Sequence, residues 1–236
     1  MKARVALLAL VAGCSDVVGD GGGVVFLEVT PPVPPQVEVG DTIQLVARAL
    51  DLNGEPVAAT ITWRTPDPAN VFVDPATGRV AGITAGTVGR VQAVETTLAS
   101  DFLSLTVIAR ADTVEVPDAP LVVAAGETVS PPLAPRVAAR SDTDPSGFVP
   151  LSGRNVILEI VQPVFADPAA RTVEITGAAL IDTVVTGADG LPTTPVTLSR
   201  ITGVTAPATV LVEVRVPRRS GALVPGSGQR FTVNFQ

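Results

Sequence analysis

Histidine and tyrosine are absent from the 236 residues, and cysteine, methionine and tryptophan occur once each. Without an imidazole the commonest general base and metal ligand is missing, and no Ser-His-Asp triad can be assembled. Carboxylates alone remain for acid–base work or a hard cation, the candidates being Asp142-Thr143-Asp144 and the pair Asp182 and Asp189. Aspartates in such loops more simply accept hydrogen bonds from their own turn, as in Asp51-Leu52-Asn53-Gly54, and the multi-ligand spacing of a calcium loop is not present. The sequence therefore predicts no catalytic residue, no metal, no cofactor and no small-molecule substrate. Clustered cations are missing too. The arginines stand singly except Arg218-Arg219, so a nucleic-acid partner is not expected, and that pair reads as a solvated loop tip. With one tryptophan and seven phenylalanines, there are too few aromatics for a carbohydrate platform. Trp63 is instead expected in a core, because a tryptophan on the third strand of a two-sheet sandwich packs between the sheets.

No apolar run approaches the roughly 20 residues that a membrane-spanning helix requires. The longest stretch at the start of the chain runs only from Val5 to Ala12, behind Lys2 and Arg4, which is the layout of a secretory signal. It ends in Leu10-Val11-Ala12-Gly13-Cys14. That segment resembles the lipobox of bacterial lipoproteins. The resemblance implies that Cys14 becomes the acylated first residue, that the membrane is a partner through this anchor, and that Ser15 directs the protein towards the outer membrane. It implies a localisation in the cell envelope. Lipidation also removes a leftover thiol that would endanger an exported protein, and leaves the mature chain without a disulfide.

Loss of Lys2 and Arg4 from 16 basic residues leaves 14 against 23 acidic ones, a formal charge of −9 for residues 14–236. Residues 14–25 include Gly21-Gly22-Gly23 and read as a flexible tether, nine residues of which reach roughly 15–18 Å as a coil. Beyond it, 22 prolines and 21 glycines cut the chain into short pieces suited to strands and turns.

The strands announce themselves by a period of two. Ile43, Leu45, Ala47 and Ala49 alternate with Thr42, Gln44 and Arg48, and Ile61 and Trp63 alternate with Thr60, Thr62 and Arg64. Turn chemistry separates them, at Val39-Gly40-Asp41, Pro75-Ala76-Thr77-Gly78 and Thr84-Ala85-Gly86. Residues 26–109 are read as one antiparallel sandwich, its first strand kept at an edge by the prolines of 31–35. In order, Leu27-Glu28-Val29-Thr30-Pro31, Val39-Gly40-Asp41-Thr42-Ile43, Ile61-Thr62-Trp63, Thr77-Gly78-Arg79-Val80 and Ile83-Thr84-Ala85-Gly86-Thr87 resemble the group 2 bacterial immunoglobulin-like family.

A second cycle occupies residues 110–236. Val114-Glu115-Val116-Pro117 resembles the opening strand, Ala125-Gly126-Glu127-Thr128-Val129 resembles Val39-Gly40-Asp41-Thr42-Ile43, and Val137-Ala138-Ala139-Arg140 resembles Val46-Ala47-Arg48-Ala49. Leu151-Ser152-Gly153-Arg154-Asn155-Val156, followed by the turn Ala188-Asp189-Gly190, resembles the group 1, invasin-type domain. The resulting expectation is an all-β chain of two tandem immunoglobulin-like sandwiches behind a signal peptide, residues 1–13. Its function is expected to be non-enzymatic, displaying or spacing a protein-binding surface of adhesion type. The alternative is a structural subunit that self-associates by strand addition at residues 24–30 or 230–235. Phe231, Val233 and Phe235 form one apolar face of that last strand; core is the simpler expectation for them, an assembly edge the functional one.

Overall fold

A computed structural model describes residues 23–141, 143, 147–177, 180–201 and 209–236. The expected lipidation site Cys14, the signal residues 1–13, residues 14–22 of the tether, and Asp142 and Asp144 lie outside the described residues. In the first half the strands are β1 (Phe26–Thr30), β2 (Gln36–Glu38), β3 (Thr42–Gln44), β4 (Val46–Leu50), β5 (Pro56–Val57), β6 (Thr62–Arg64), β7 (Val71–Val73), β8 (Arg79–Gly82), β9 (Val88–Glu95), β10 (Leu98–Ala99) and β11 (Leu103–Ile108). In the second they are β12 (Thr113–Glu115), β13 (Leu121–Val123), β14 (Arg136–Arg140), β15 (Phe148–Pro150), β16 (Asn155–Gln162), β17 (Val173–Ile175), β18 (Ile181–Val185), β19 (Leu198–Arg200), β20 (Thr209–Arg215) and β21 (Arg230–Phe235).

The period-two reading of the sequence translates directly into faces. Ile43, Leu45 and Ala49 are buried while Gln44, Val46 and Arg48 are exposed. In the first half β1, β4, β3, β8 and β7 form one layer, and β6, β9, β11 and β2 the other. Between them lie Leu27, Val37, Leu45, Trp63, Val91 and Leu105. The second half has its own core, including Leu133, Leu158, Ile175, Val212 and Phe231, under the five-stranded sheet β13-β21-β20-β16-β18. Two layers with a tryptophan on the strand beside β9 make the first half an immunoglobulin-like sandwich, and the second half is a β-sandwich of the same class without the tryptophan. Valine dominates both cores, as expected of a β-branched side chain that packs well on a pleated surface.

One pair in each sandwich is parallel. β2 runs beside β11 in the register Thr106↔Gln36 to Ile108↔Glu38, and β13 beside β21 in the register Leu121↔Val233 to Val123↔Phe235. The cause in the first sandwich is the proline stretch 31–35: prolines cannot continue a ladder, so the chain leaves β1 and crosses to the opposite layer. β1 itself stays at the edge of its layer, paired among the described residues only with β4.

Most ion pairs are exposed, such as Arg48–Glu28 and Arg230–Glu213, and pairs of that kind contribute about 1 kcal/mol at most. Asp67 differs in geometry. Its carboxylate accepts from Nε of Arg90 at 2.8 Å, from the second guanidinium nitrogen at 2.9 Å and from the Arg90 backbone N–H at 2.9 Å. These bonds hold its pKa down to about 2 from 3.8. A depressed carboxylate stabilises the fold fully above its unfolded pKa, and the contribution disappears as pH falls through the folded one. Urea midpoints measured across pH should therefore drop between pH 3.8 and about 2, and Asp67→Asn should reduce that drop.

Candidate interdomain site

Four residues, Ala109 to Asp112, connect β11 to β12, and side chains from both sandwiches bind their backbone. The N–H of Ala111 donates to Oε2 of Glu38 at 3.0 Å. Its carbonyl accepts from Arg218, at 3.0 Å from Nε and 2.9 Å from the second nitrogen. The carbonyl of Ala109 accepts from Arg154. Ala111 is 1% exposed and belongs to the second core, so the connection is packed rather than free.

Glu38 ends β2, on the layer that runs to the junction. Position is fixed by close approach: a Cβ on Gly82 would sit 2.7 Å from the carbonyl oxygen of Glu38, so only glycine lets β8 pass there. Across the junction, Oε1 of Glu38 accepts from Arg154 and from the backbone N–H of Arg219, both at 3.2 Å. The Glu38 side chain is 1% exposed and that of Arg154 is 5% exposed. Arg154 is held from behind by Thr186, whose hydroxyl accepts its N–H at 3.0 Å and donates to the carbonyl of Leu151 at 2.6 Å. Arg219 reaches the carbonyl of Gly153 at 3.1 Å, and the Ser220 hydroxyl donates to Asp41.

The Glu38 carboxylate thus meets one guanidinium, that of Arg154, while those of Arg218 and Arg219 bond the carbonyls of Ala111 and Gly153. Burial lowers the pKa of Arg154; the Glu38 charge opposes that and the charge of Arg219 adds to it. The ordinary arginine value lies so high that the group stays cationic. A charge enclosed this far is costly unless paired and hydrogen-bonded. Glu38 supplies the one side-chain carboxylate partner of Arg154 among the described residues, so the two sandwiches are coupled through a contact that neither can lose cheaply. Chemically the arrangement can lock orientation.

Two open hollows lie on the surface, one of them at the junction. One, of about 670 Å³, lies beside the connection and includes Val39, Ile83, Arg110, Asp112 and Arg140. The other, of about 550 Å³, lies on the second sandwich near Glu115, Asp118, Arg136 and Asp189. Among the described residues no three histidine, cysteine, aspartate or glutamate side chains converge on a point where a metal ion would sit. Asp189 accepts from the N–H of Leu191 at 3.0 Å and Asp182 from that of Thr183 at 2.7 Å, each serving its own neighbourhood.

Trp63 lies in the first core, 7% exposed. Phe231, Val233 and Phe235 are buried in the second, at 1%, 0% and 8%. Strand β21 is hydrogen-bonded on both sides, to β13 and β20, and so offers no edge for assembly; this corrects the functional expectation for those three residues. The expectation of a solvated tip at Arg218-Arg219 is corrected as well, since both are half-buried against the connection. Glu38 was not anticipated at all.

No family model and no curated protein matches this sequence. Among solved structures, the chain is similar to the Yersinia pseudotuberculosis adhesin InvE, with 20% identity over 92% of this chain and a TM-score of 0.37; it spans 61% of that adhesin's chain. It is also similar to fibronectin(III)-like modules of Clostridium thermocellum CbhA, with 15% identity over 88% of this chain and 93% of theirs, at a TM-score of 0.39. Domains 4 and 5 of the S-layer protein SbsC align over 90% of this chain and 98% of theirs with 14% identity and a TM-score of 0.30.

Proposed function

We propose that the chain is a non-enzymatic, lipid-anchored protein of the cell envelope in which two immunoglobulin-like modules, locked end to end, hold a protein-binding surface of adhesion type away from the membrane. The observation that carries this reading is the enclosed Glu38–Arg154 contact at the junction. A display protein needs a stiff spacer, and a four-residue connection gripped by Glu38, Arg154 and Arg218 supplies one. The polarity of the chain agrees. β11 runs towards the junction, and β21 runs from the loop that carries Arg218 and Arg219 to the opposite end of the second sandwich. The lipobox-like segment ending at Cys14 supplies the anchor, with the outer membrane as its destination, and the order of turns in residues 26–109 supports reading the first module as similar to the group 2 bacterial immunoglobulin-like domains.

A second reading, a subunit that associates by strand addition, is favoured by one feature: β1 is an open edge. Light scattering of the unlipidated protein across a range of concentrations separates the two. The display reading predicts a constant monomer mass. Mass that grows with concentration and returns to monomer in Phe26→Lys would contradict it in favour of assembly through β1.

A further inference from the structure

The end of the first sandwich opposite the junction carries a cluster of exposed apolar side chains. β3 begins four residues after Glu38 and, with β4, leads away from the junction; Phe26 pairs with Leu50 at the far end of β4. At that end Val25 is 41% exposed, Phe26 52%, Phe102 48% and Leu52 77%. Phe26 and Phe102 line one groove, whose remaining walls include Leu27, Val29, Pro31 and Leu103. Val25 bonds the carbonyl of Leu50 at 2.8 Å, which brings the chain alongside the hairpin whose tip holds Leu52. Exposed patches of this kind mark contact surfaces, with proteins or with membranes.

We propose that this end is a membrane-contacting face that rests in the headgroup region of a bilayer of neutral lipids. The inference rests on the anchored reading given above. Chain length selects this occupant: eight residues separate Cys14 from Gly23, a span of at most about 30 Å fully extended, and the chain enters the fold within the patch itself. An acyl group on Cys14 therefore keeps this end, and no other, next to the lipid. Phenylalanine and leucine at such a boundary partition into the interface and leave their backbones wet. Charge selects neutral headgroups. Asp51, Glu55 and Asp101 border the patch, whereas its nearby cations are engaged, Arg48 with Glu28 at 2.6 Å and Arg90 over the ring of Phe102 at 5.5 Å from its centre. An anionic surface would repel those carboxylates.

The test uses the lipidated full-length protein in phosphatidylcholine vesicles containing a nitroxide lipid. Acylation of Cys14 removes the native thiol, so Leu52→Cys carries a single fluorescent label, and Leu223→Cys, 53% exposed in the loop at the junction, serves as the control. The label at 52 should lose several-fold more fluorescence to the nitroxide lipid than the label at 223, and be the less quenched by iodide in the water. Equal behaviour of the two labels on vesicles that do carry the protein overturns the docked face and leaves the anchor intact. Failure of the unmutated protein to float with vesicles overturns anchor and docking together. Shielding of the label at 52 that grows with protein concentration in the absence of lipid assigns the patch to a second copy of the chain and also overturns the proposal.

Discussion

Replacing Glu38 by alanine is expected to destabilise the protein by about 3–5 kcal/mol, the scale measured when one member of a buried ion pair is removed. The reason is what it leaves behind. Arg154 would keep its charge in a site where its side chain is 5% exposed, and the N–H groups of Ala111 and Arg219 would lose their shared acceptor. The exposed pair Arg48–Glu28 provides the contrast: Glu28→Ala should cost less than about 1 kcal/mol. Urea unfolding of both variants gives the comparison. A double replacement, Glu38→Leu with Arg154→Met, removes charge and countercharge together and should recover most of the loss, because apolar groups of similar volume substitute well for buried pairs. If Glu38→Ala costs no more than Glu28→Ala, the junction is not held by this contact.

Trp63→Ala is the other large effect, again about 3–5 kcal/mol, from lost burial and the cavity left behind. The indole is more than filler here. Gly78, at a φ of 72°, turns the chain beneath it, and a Cβ on that residue would meet Nε1 of Trp63 at 2.5 Å. The ring thus roofs the turn between β7 and β8, and the backbone N–H of Trp63 donates to the carbonyl of Pro75 at 3.0 Å. Thermal unfolding followed by circular dichroism should show the first sandwich melting more than about 10 °C lower. A small shift would mean that the tryptophan does not organise the first core.

The strands were legible because each has one face in a core, and alternation of Ile43, Leu45 and Ala49 with Gln44 and Arg48 records that directly. The junction was not, because it depends on a neighbour that a local pattern does not contain. In Gln36-Val37-Glu38-Val39 the alternation assigns Glu38 to solvent; it is 1% exposed because the second sandwich covers it. The same blindness made Arg218-Arg219 a loop tip. A signal existed in the internal repeat. Aligning Val39-Gly40-Asp41 with Ala125-Gly126-Glu127 sets Glu38 against Ala124, so the first module has a carboxylate where the second has a methyl group, at the end that meets another domain. The parallel pairing of β2 with β11 was hidden for a related reason: a period of two shows faces and says nothing of direction.

The most direct test of the central claim is the alignment of the two sandwiches in solution, measured by residual dipolar couplings on the amides of the unlipidated protein. A locked junction predicts one alignment tensor that fits residues 26–108 and 113–235 together. Two tensors of different magnitude, one for each sandwich, would show that the modules reorient independently and that the contact of Glu38 with Arg154 does not set the shape of the molecule.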